Sequence, residues 1–276
     1  MSYDLGRRRR GAVKPSPLFL TVLAVTAVGA VISWVVDTPG SRLGDFGVFL
    51  FVLGGWVASV CVHEFAHAYA AYRAGDRSVE ARGYLTLNPF KYTHPVLSIL
   101  LPLVAIVGGG FALPGGAVYL NPHSFRSRAQ RSLAAAAGPL TNVVFAVVLI
   151  LVARNHVSVT DVNAFFNHQS QQTRFWGAIG FLGLLQVTAA VLNLLPIPGL
   201  DGYGIIEPYL DPETVRVGEK VKPWGLFIVI LLLFYATPVK NAFFDVVDAI
   251  YRGIGGTDLM HAFGYQSFRW WAKPPL

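Results

Sequence analysis

Two imidazoles four residues apart, with a carboxylate beside the first, stand at His63-Glu64-Phe65-Ala66-His67. On a helix, residues at that spacing share a face, so both rings can reach one Zn2+ ion. Glu64 sits beside them, placed to take a proton from a water that the metal activates rather than to bind the metal itself. From this composition the pattern His-Glu-x-x-His is expected by chance only roughly 0.003 times per chain, so its presence is informative. The competing reading is a helix with two incidental histidines bonded to neighbours. The surroundings count against it, because the seventeen residues before His63 carry no charge. Placing Glu and two His in a bilayer helix costs several kcal/mol unless they are paired or bound to metal.

A catalytic zinc wants a third protein ligand and one position open for water. His94, His123, His156, His168 and His261 fall in expected loops or the tail, and Glu207 and Asp211 lie beyond a span. Asp201 differs from these. It closes the stretch Asn193-Leu-Leu-Pro-Ile-Pro-Gly-Leu-Asp201-Gly202, where prolines unwind a helix end and Gly202 permits a tight turn. That unwinding can aim a carboxylate sideways into a helix bundle. Asp-Gly alone is a common turn, so Asp201 becomes a candidate through the His-Glu-x-x-His pair.

The elements that must position these groups are membrane spans. Of 276 residues, 54% are hydrophobic and 13% charged, about half the charged share of an ordinary soluble domain. Disorder and a collagen-like chain are excluded, and one cysteine allows no intrachain disulfide. Residues 18–36 are uncharged and long enough to cross a bilayer. A cleaved signal peptide is the rival reading, but the run is longer than a usual apolar signal core and no convincing small-x-small site ends it. The arginines at 7–10 and Lys14 precede this run, and such a block beside an apolar stretch reads as a cytoplasmic topology signal rather than a nucleic-acid patch. Residues 46–72 return through the membrane after a short external loop holding Asp37, Arg42 and Asp45, and residues 83–87 alternate as a short β-like segment. Residues 95–118 are uncharged but broken by Pro95, Pro102, Pro114, Gly108, Gly109, Gly110, Gly115 and Gly116. Basic residues flank this stretch on both sides, so a re-entrant or split element lining a site fits it, with a kinked span as the alternative. Residues 133–153 and 177–200 read as two further spans, joined by an external connection at 154–174. Residues 224–238 make another span, short unless 217–222 extend it. The tail holds an amphipathic piece at 241–251 and an aromatic-basic end at 268–271, suited to a membrane interface or to packing on the bundle.

Together, the His-Glu-x-x-His helix, the N-x-x-P-x-x-x-x-D-G stretch, the intervening GGGFALPGG loop and the Ala-Gly-Pro-Leu-Thr-Asn run resemble the site-2 protease family of intramembrane zinc metalloproteases. The likeness is to the short bacterial branch without a PDZ domain and covers residues 48–209. It implies His63, His67 and Asp201 as zinc ligands and Glu64 as general base. It also implies Asn193 as a group that steadies substrate or the oxyanion, or else makes a helix–helix hydrogen bond. Gly108, Gly109 and Gly110 would offer a backbone edge to an extended substrate. Gly138, Pro139 and Asn142 match a motif read first as close helix packing and second as support of the site.

The expected molecule is an all-α polytopic membrane protein with about five or six transmembrane helices, a Gly/Pro-rich re-entrant element and a short β-like segment. Residues 1–17 form a basic cytoplasmic tail, 18–238 the metalloprotease domain and 239–276 an amphipathic, interfacial tail. Its expected activity is hydrolysis of peptide bonds in or near transmembrane segments, in regulated proteolysis or clearance of signal-peptide remnants. The expected cofactor is one Zn2+, the expected partners are a transmembrane substrate and the lipid bilayer with no nucleic acid, and the expected location is a bacterial cell membrane. The alternatives are a non-proteolytic transporter with intramembrane His, Glu and Asp, or an inactive protease-like scaffold that binds a metal.

Overall fold

The computed structural model describes residues 13–36, 38, 41–92, 118–156 and 173–272. Among them the regular structure is helical throughout. Helix α1 (Pro17–Val35) and helix α2 (Arg42–Ala74) form an antiparallel hairpin. Glycines let the pair approach: a Cβ at Gly47 would lie 2.7 Å from Ile32, and one at Gly54 2.3 Å from Thr26. Small residues of this kind allow apolar helices to gain close packing where no water drives them together. Ser41 caps α2 by accepting from the Gly44 N–H, and Gly75 ends it at a φ of 121°, a left-handed conformation that side chains rarely adopt. At 33 residues α2 is about 50 Å long, well beyond a hydrocarbon core of about 30 Å.

A short helix α3 (Ser78–Ala81) and 3-10 turns at Tyr84–Thr86 and Pro89–Lys91 follow. The expected β-like segment at 83–87 is therefore a turn. Gly83 and Leu87 both take positive φ, at 78° and 56°, which reverses the chain at each end. Tyr84 and Leu85 are both buried instead of alternating, because they fill a cluster with Cys61, Ala68 and Ala71 of α2. Residues 93–117 lie outside the described residues, and with them the expected re-entrant element and its glycines, all but its last residue, Val118. The flanks rest on α2: Tyr92 Oη donates to the Cys61 carbonyl (3.1 Å), and the Asn121 N–H donates to Asp76 just beyond the helix end (2.8 Å).

Helices α4 (Arg128–Arg154) and α5 (Thr173–Asn193) complete the centre, and α5 is the most enclosed of the apolar helices. It ends at Asn193, ahead of the expected position 200, because Pro196 and Pro198 cannot continue the hydrogen-bond ladder. Helix α6 (Asp201–Ile206) and a 3-10 turn lead to α7 (Pro212–Tyr235), which Asp211 caps by accepting from the Glu213 and Thr214 N–H groups. That cap starts α7 five residues before 217, so the short apolar run becomes a 24-residue helix. Helix α8 (Thr237–Ile254) turns from α7 by 98°. Phe243, Val247 and Tyr251 lie on its inner face at spacings of four, and Tyr251 Oη donates to the Gly180 carbonyl (3.2 Å). Helix α9 (Asp258–Phe268) packs on α5 and α2, with Met260 and Phe268 fully buried, and Phe268 meets Phe49 and Phe181. The aromatic end of the chain thus packs on the bundle.

Helices α1, α2, α4 and α5 are each long and apolar enough to cross a membrane, and the bent pair α7–α8 makes a fifth if counted as one span. The expected external loop is shorter than its charges suggest, because Arg42 and Asp45 belong to α2. Asp45 is completely buried and pairs with Arg174 at the start of α5 (3.1 Å). Arg174 also donates to the carbonyls of Val36 (2.7 Å) and Thr38 (3.1 Å), so one guanidinium ties the hairpin end to α5.

Candidate metal centre

His63, Glu64 and His67 lie in the second half of α2, where His67 is seven residues, or about 10 Å, from the helix end. All three are buried. The two imidazoles stand edge to face, with their Nε2 atoms 3.1 Å apart.

Asp201 reaches them through the fold of residues 194–200. After α5 stops, Gly199 takes φ 100° and Leu200 runs extended, which turns the chain back to begin α6 at Asp201. Gly202 lies so close to the end of α5 that a Cβ there would sit 2.2 Å from the Leu194 carbonyl oxygen. Two contacts from α4 hold α6 in place: Ser132 Oγ donates to the Ile205 carbonyl, and Arg131 pairs with the buried Glu207. The result is an Asp201 carboxylate with Oδ2 3.1 Å from His63 Nε2 and Oδ1 3.3 Å from His67 Nε2. A tetrahedral ion with bonds of about 2.0–2.1 Å separates its ligand atoms by about 3.3 Å, so these distances already match the edges of such a site.

The hydrogen bonds behind the rings decide which nitrogens are free. His67 Nδ1 is 2.7 Å from the Ala134 carbonyl, which can only accept, so Nδ1 carries the proton. His63 Nδ1 is 2.6 Å from Asn142 Oδ1, and Asn142 Nδ2 donates to Gln186 Oε1 (2.7 Å). With that amide oriented by its partner, His63 Nδ1 also carries the proton. Both Nε2 lone pairs therefore face each other and a carboxylate in a buried space, an arrangement that calls for a cation. Polar partners that fix the metal-facing nitrogen in this way are the usual support of histidine ligands.

Ala134, Gly138 and Asn142 recur every four residues, so a single face of α4 carries all three. Gly138 is the open place between the two hydrogen-bonding groups. A Cβ there would lie 2.2 Å from His67 Nε2 and 2.6 Å from His63 Nε2, so the missing side chain is what lets α4 pass this close to both metal-facing nitrogens. The donor set and this cradle both fit a divalent ion. The motif holding Gly138 and Asn142 thus packs helices and supports the site with the same residues. Next to the histidines, Glu64 Oε2 is buried with no hydrogen-bond partner among the described residues, and the Val118 backbone N–H acts as a donor to the Glu64 carboxylate.

Asn193 is the last residue of α5 and is buried, but it is hydrogen-bonded to none of His63, Glu64, His67 or Asp201. Gly108, Gly109 and Gly110 lie outside the described residues. Sequence reasoning did not single out the Ala134 carbonyl or Gln186. No side-chain signal marks a carbonyl, but a lone glutamine in the apolar run of α5 is a polar group at a cost, and that could have drawn notice.

Residues 48–236 match the family described as Peptidase family M50. The chain is 48% identical over 267 residues to a Mycolicibacterium smegmatis protein named as a candidate zinc metalloprotease, Rip2, covering 96% of this chain and 98% of the relative. It is 41% identical over 264 residues to the Rip2 of Mycobacterium tuberculosis, covering 96% and 97%. To a Bacillus subtilis protein named in the same way, YwhC, it is 34% identical over 188 residues, covering 67% and 80%. No solved structure matches the chain.

Proposed function

The chain belongs to peptidase family M50, and from that membership we propose that it is an intramembrane zinc metalloprotease that hydrolyses peptide bonds in or near transmembrane segments of other membrane proteins. It is an integral membrane protein, with four or five helices fit to cross a bilayer among the described residues. One observation carries the proposal. Three lone-pair donors, His63 Nε2, His67 Nε2 and an Asp201 oxygen, converge within 4.8 Å inside the bundle, beside a carboxylate oxygen of Glu64 that has no partner among the described residues.

His63, His67 and Asp201 would hold the ion. Zinc supplies a Lewis acid there, which lowers the pKa of a water toward neutrality and polarises a carbonyl oxygen. Glu64 accepts the proton as water attacks the scissile carbonyl and passes it to the leaving amine. A carboxylate that forms no hydrogen bond through Oε2 has that oxygen available for the transfer. Asn193 adds a hydrogen bond to the developing oxyanion. A substrate helix hides its carbonyls, so it unwinds locally, and Gly108, Gly109 and Gly110 give the opened strand a backbone edge to pair with. The basic residues at 7–10 place the N-terminus in the cytoplasm of a bacterial cell. His63 and His67, nearer the far end of α2, then face the cytoplasmic half of the membrane.

The test is a proteoliposome carrying the full chain and a labelled transmembrane peptide. The intact protein cleaves the peptide and Glu64→Ala does not. Cleavage by Glu64→Ala at the full rate removes the proposed base.

A further inference from the structure

A file of buried polar side chains runs behind the histidines. Asn142 Nδ2 donates to Gln186 Oε1 (2.7 Å), Gln186 Nε2 donates to Ser59 Oγ (2.9 Å), and Ser59 Oγ donates to the Trp56 carbonyl (2.8 Å). Gln186 is fully buried, and Asn142 and Ser59 nearly so. The file begins at His63 on α2, passes through α4 and α5, and returns to α2 one turn before His63. Every link points the same way, and Gln186 uses both ends of its amide. Amides in an apolar bundle are costly unless they are satisfied, and here they form an unbroken chain.

We infer that Gln186 is a positioning residue for metal binding. It acts by fixing which end of the Asn142 amide faces His63. The oxygen and nitrogen of an asparagine amide are nearly the same size, so packing alone does not choose between its two orientations. With Oδ1 toward His63, the imidazole keeps its proton on Nδ1 and presents a bare Nε2. With the amide turned over, Nδ2 faces His63, the proton moves to Nε2, and the nitrogen that should hold the ion is blocked. In the observed orientation the Gln186 oxygen accepts from Asn142 Nδ2. In the reversed one two oxygens would oppose each other. Ser59, donating to Trp56 and accepting from Gln186, keeps Gln186 itself from turning over.

The inference rests on the proposed ligand set, and the test separates the two. Zinc affinity is measured on the full chain purified in detergent, by competition with a chromophoric chelator, for wild type, Gln186→Met, Gln186→Glu, and Gln186→Met combined with Asn142→Asp. Supporting partners of histidine ligands are worth ten- to hundredfold in metal affinity, and Gln186 stands one step behind such a partner, so Gln186→Met should lose about the lower end of that range, roughly tenfold. Gln186→Glu keeps an acceptor for Asn142 and should bind zinc within about threefold of wild type, a margin well inside the tenfold scale of such partners. Asn142→Asp offers an oxygen on either side, so the double variant cannot present the wrong end and should recover most of the loss. Ser59→Ala, the smaller change, should weaken zinc in the same direction and serves if Gln186→Met does not fold. Wild-type affinity in both Gln186→Met and Ser59→Ala overturns the inference, as does failure of Asn142→Asp to rescue a folded Gln186→Met. A wild-type chain that binds no zinc overturns the ligand set instead.

Discussion

Replacing Gly138 with alanine should empty the metal centre while leaving the helix bundle standing. The added Cβ would lie 2.2 Å from His67 Nε2 and 2.6 Å from His63 Nε2, where ordinary contact begins near 3.4 Å. The overlaps are thus about 1.2 and 0.8 Å (3.4 − 2.2 and 3.4 − 2.6). The rings cannot simply retreat, because the Ala134 carbonyl and Asn142, one turn either side of Gly138, hold them by their Nδ1 atoms. Restoring contact distance breaks one of those hydrogen bonds or pushes apart ligand atoms now 3.1–3.3 Å from one another. Loss of a supporting partner alone costs ten- to hundredfold in metal affinity, so this obstruction should cost at least about a hundredfold, or about 2.8 kcal/mol. The assay strips the purified protein of metal and titrates zinc against a chelator of known affinity, with helicity and monodispersity as checks on folding. Gly253→Ala is the control, since a Cβ there meets nothing within 4 Å. Zinc affinity within about threefold of wild type in a folded Gly138→Ala would refute the reasoning, because that margin is under 1 kcal/mol.

Two further outcomes test the fold around the site. Arg174→Ala leaves the fully buried Asp45 without its guanidinium partner, a loss of about 3–5 kcal/mol, and should lower the thermal unfolding midpoint in detergent; an unchanged midpoint contradicts the clamp. The Thr214 hydroxyl and backbone N–H hold the Asp211 carboxyl below the usual carboxylate range. A depressed carboxyl stabilises above its ordinary pKa and ceases to as pH falls through the lowered value. Protection factors of the amides in the first turn of α7, corrected for intrinsic exchange, should therefore hold above the ordinary carboxylate range and fall as the pH drops through the lowered value, and Asp211→Ala should remove that change in protection.

Much of this site could be read from the sequence because its chemistry is local. The spacing of His63 and His67 sets both rings on one face whatever the rest of the chain does, and Pro196 and Pro198 announce a helix end beside Asp201. What escaped was either long-range or without a signature. Asp45 looked like loop charge because nothing in its neighbourhood reveals Arg174, 129 residues away. The alternation at 83–87 suggested a strand, but positive φ at Gly83 and Leu87 closed it into a turn against α2. Gly138 and Asn142 were legible as close packing. Their contact with the imidazoles depends on α4 meeting α2 in one register, which a single sequence does not display. Gln186 carried a visible cost, a glutamine within an apolar helix, but its reason lies on two other helices.

The central claim is that His63, His67 and Asp201 together hold one zinc ion beside Glu64. Native mass spectrometry of the full chain, released from detergent, counts the metal directly. One zinc per chain is expected in wild type and in Glu64→Ala, and none in Asp201→Ala or His67→Ala. Zinc retained at full occupancy by Asp201→Ala, or absent from wild type after loading, would contradict it.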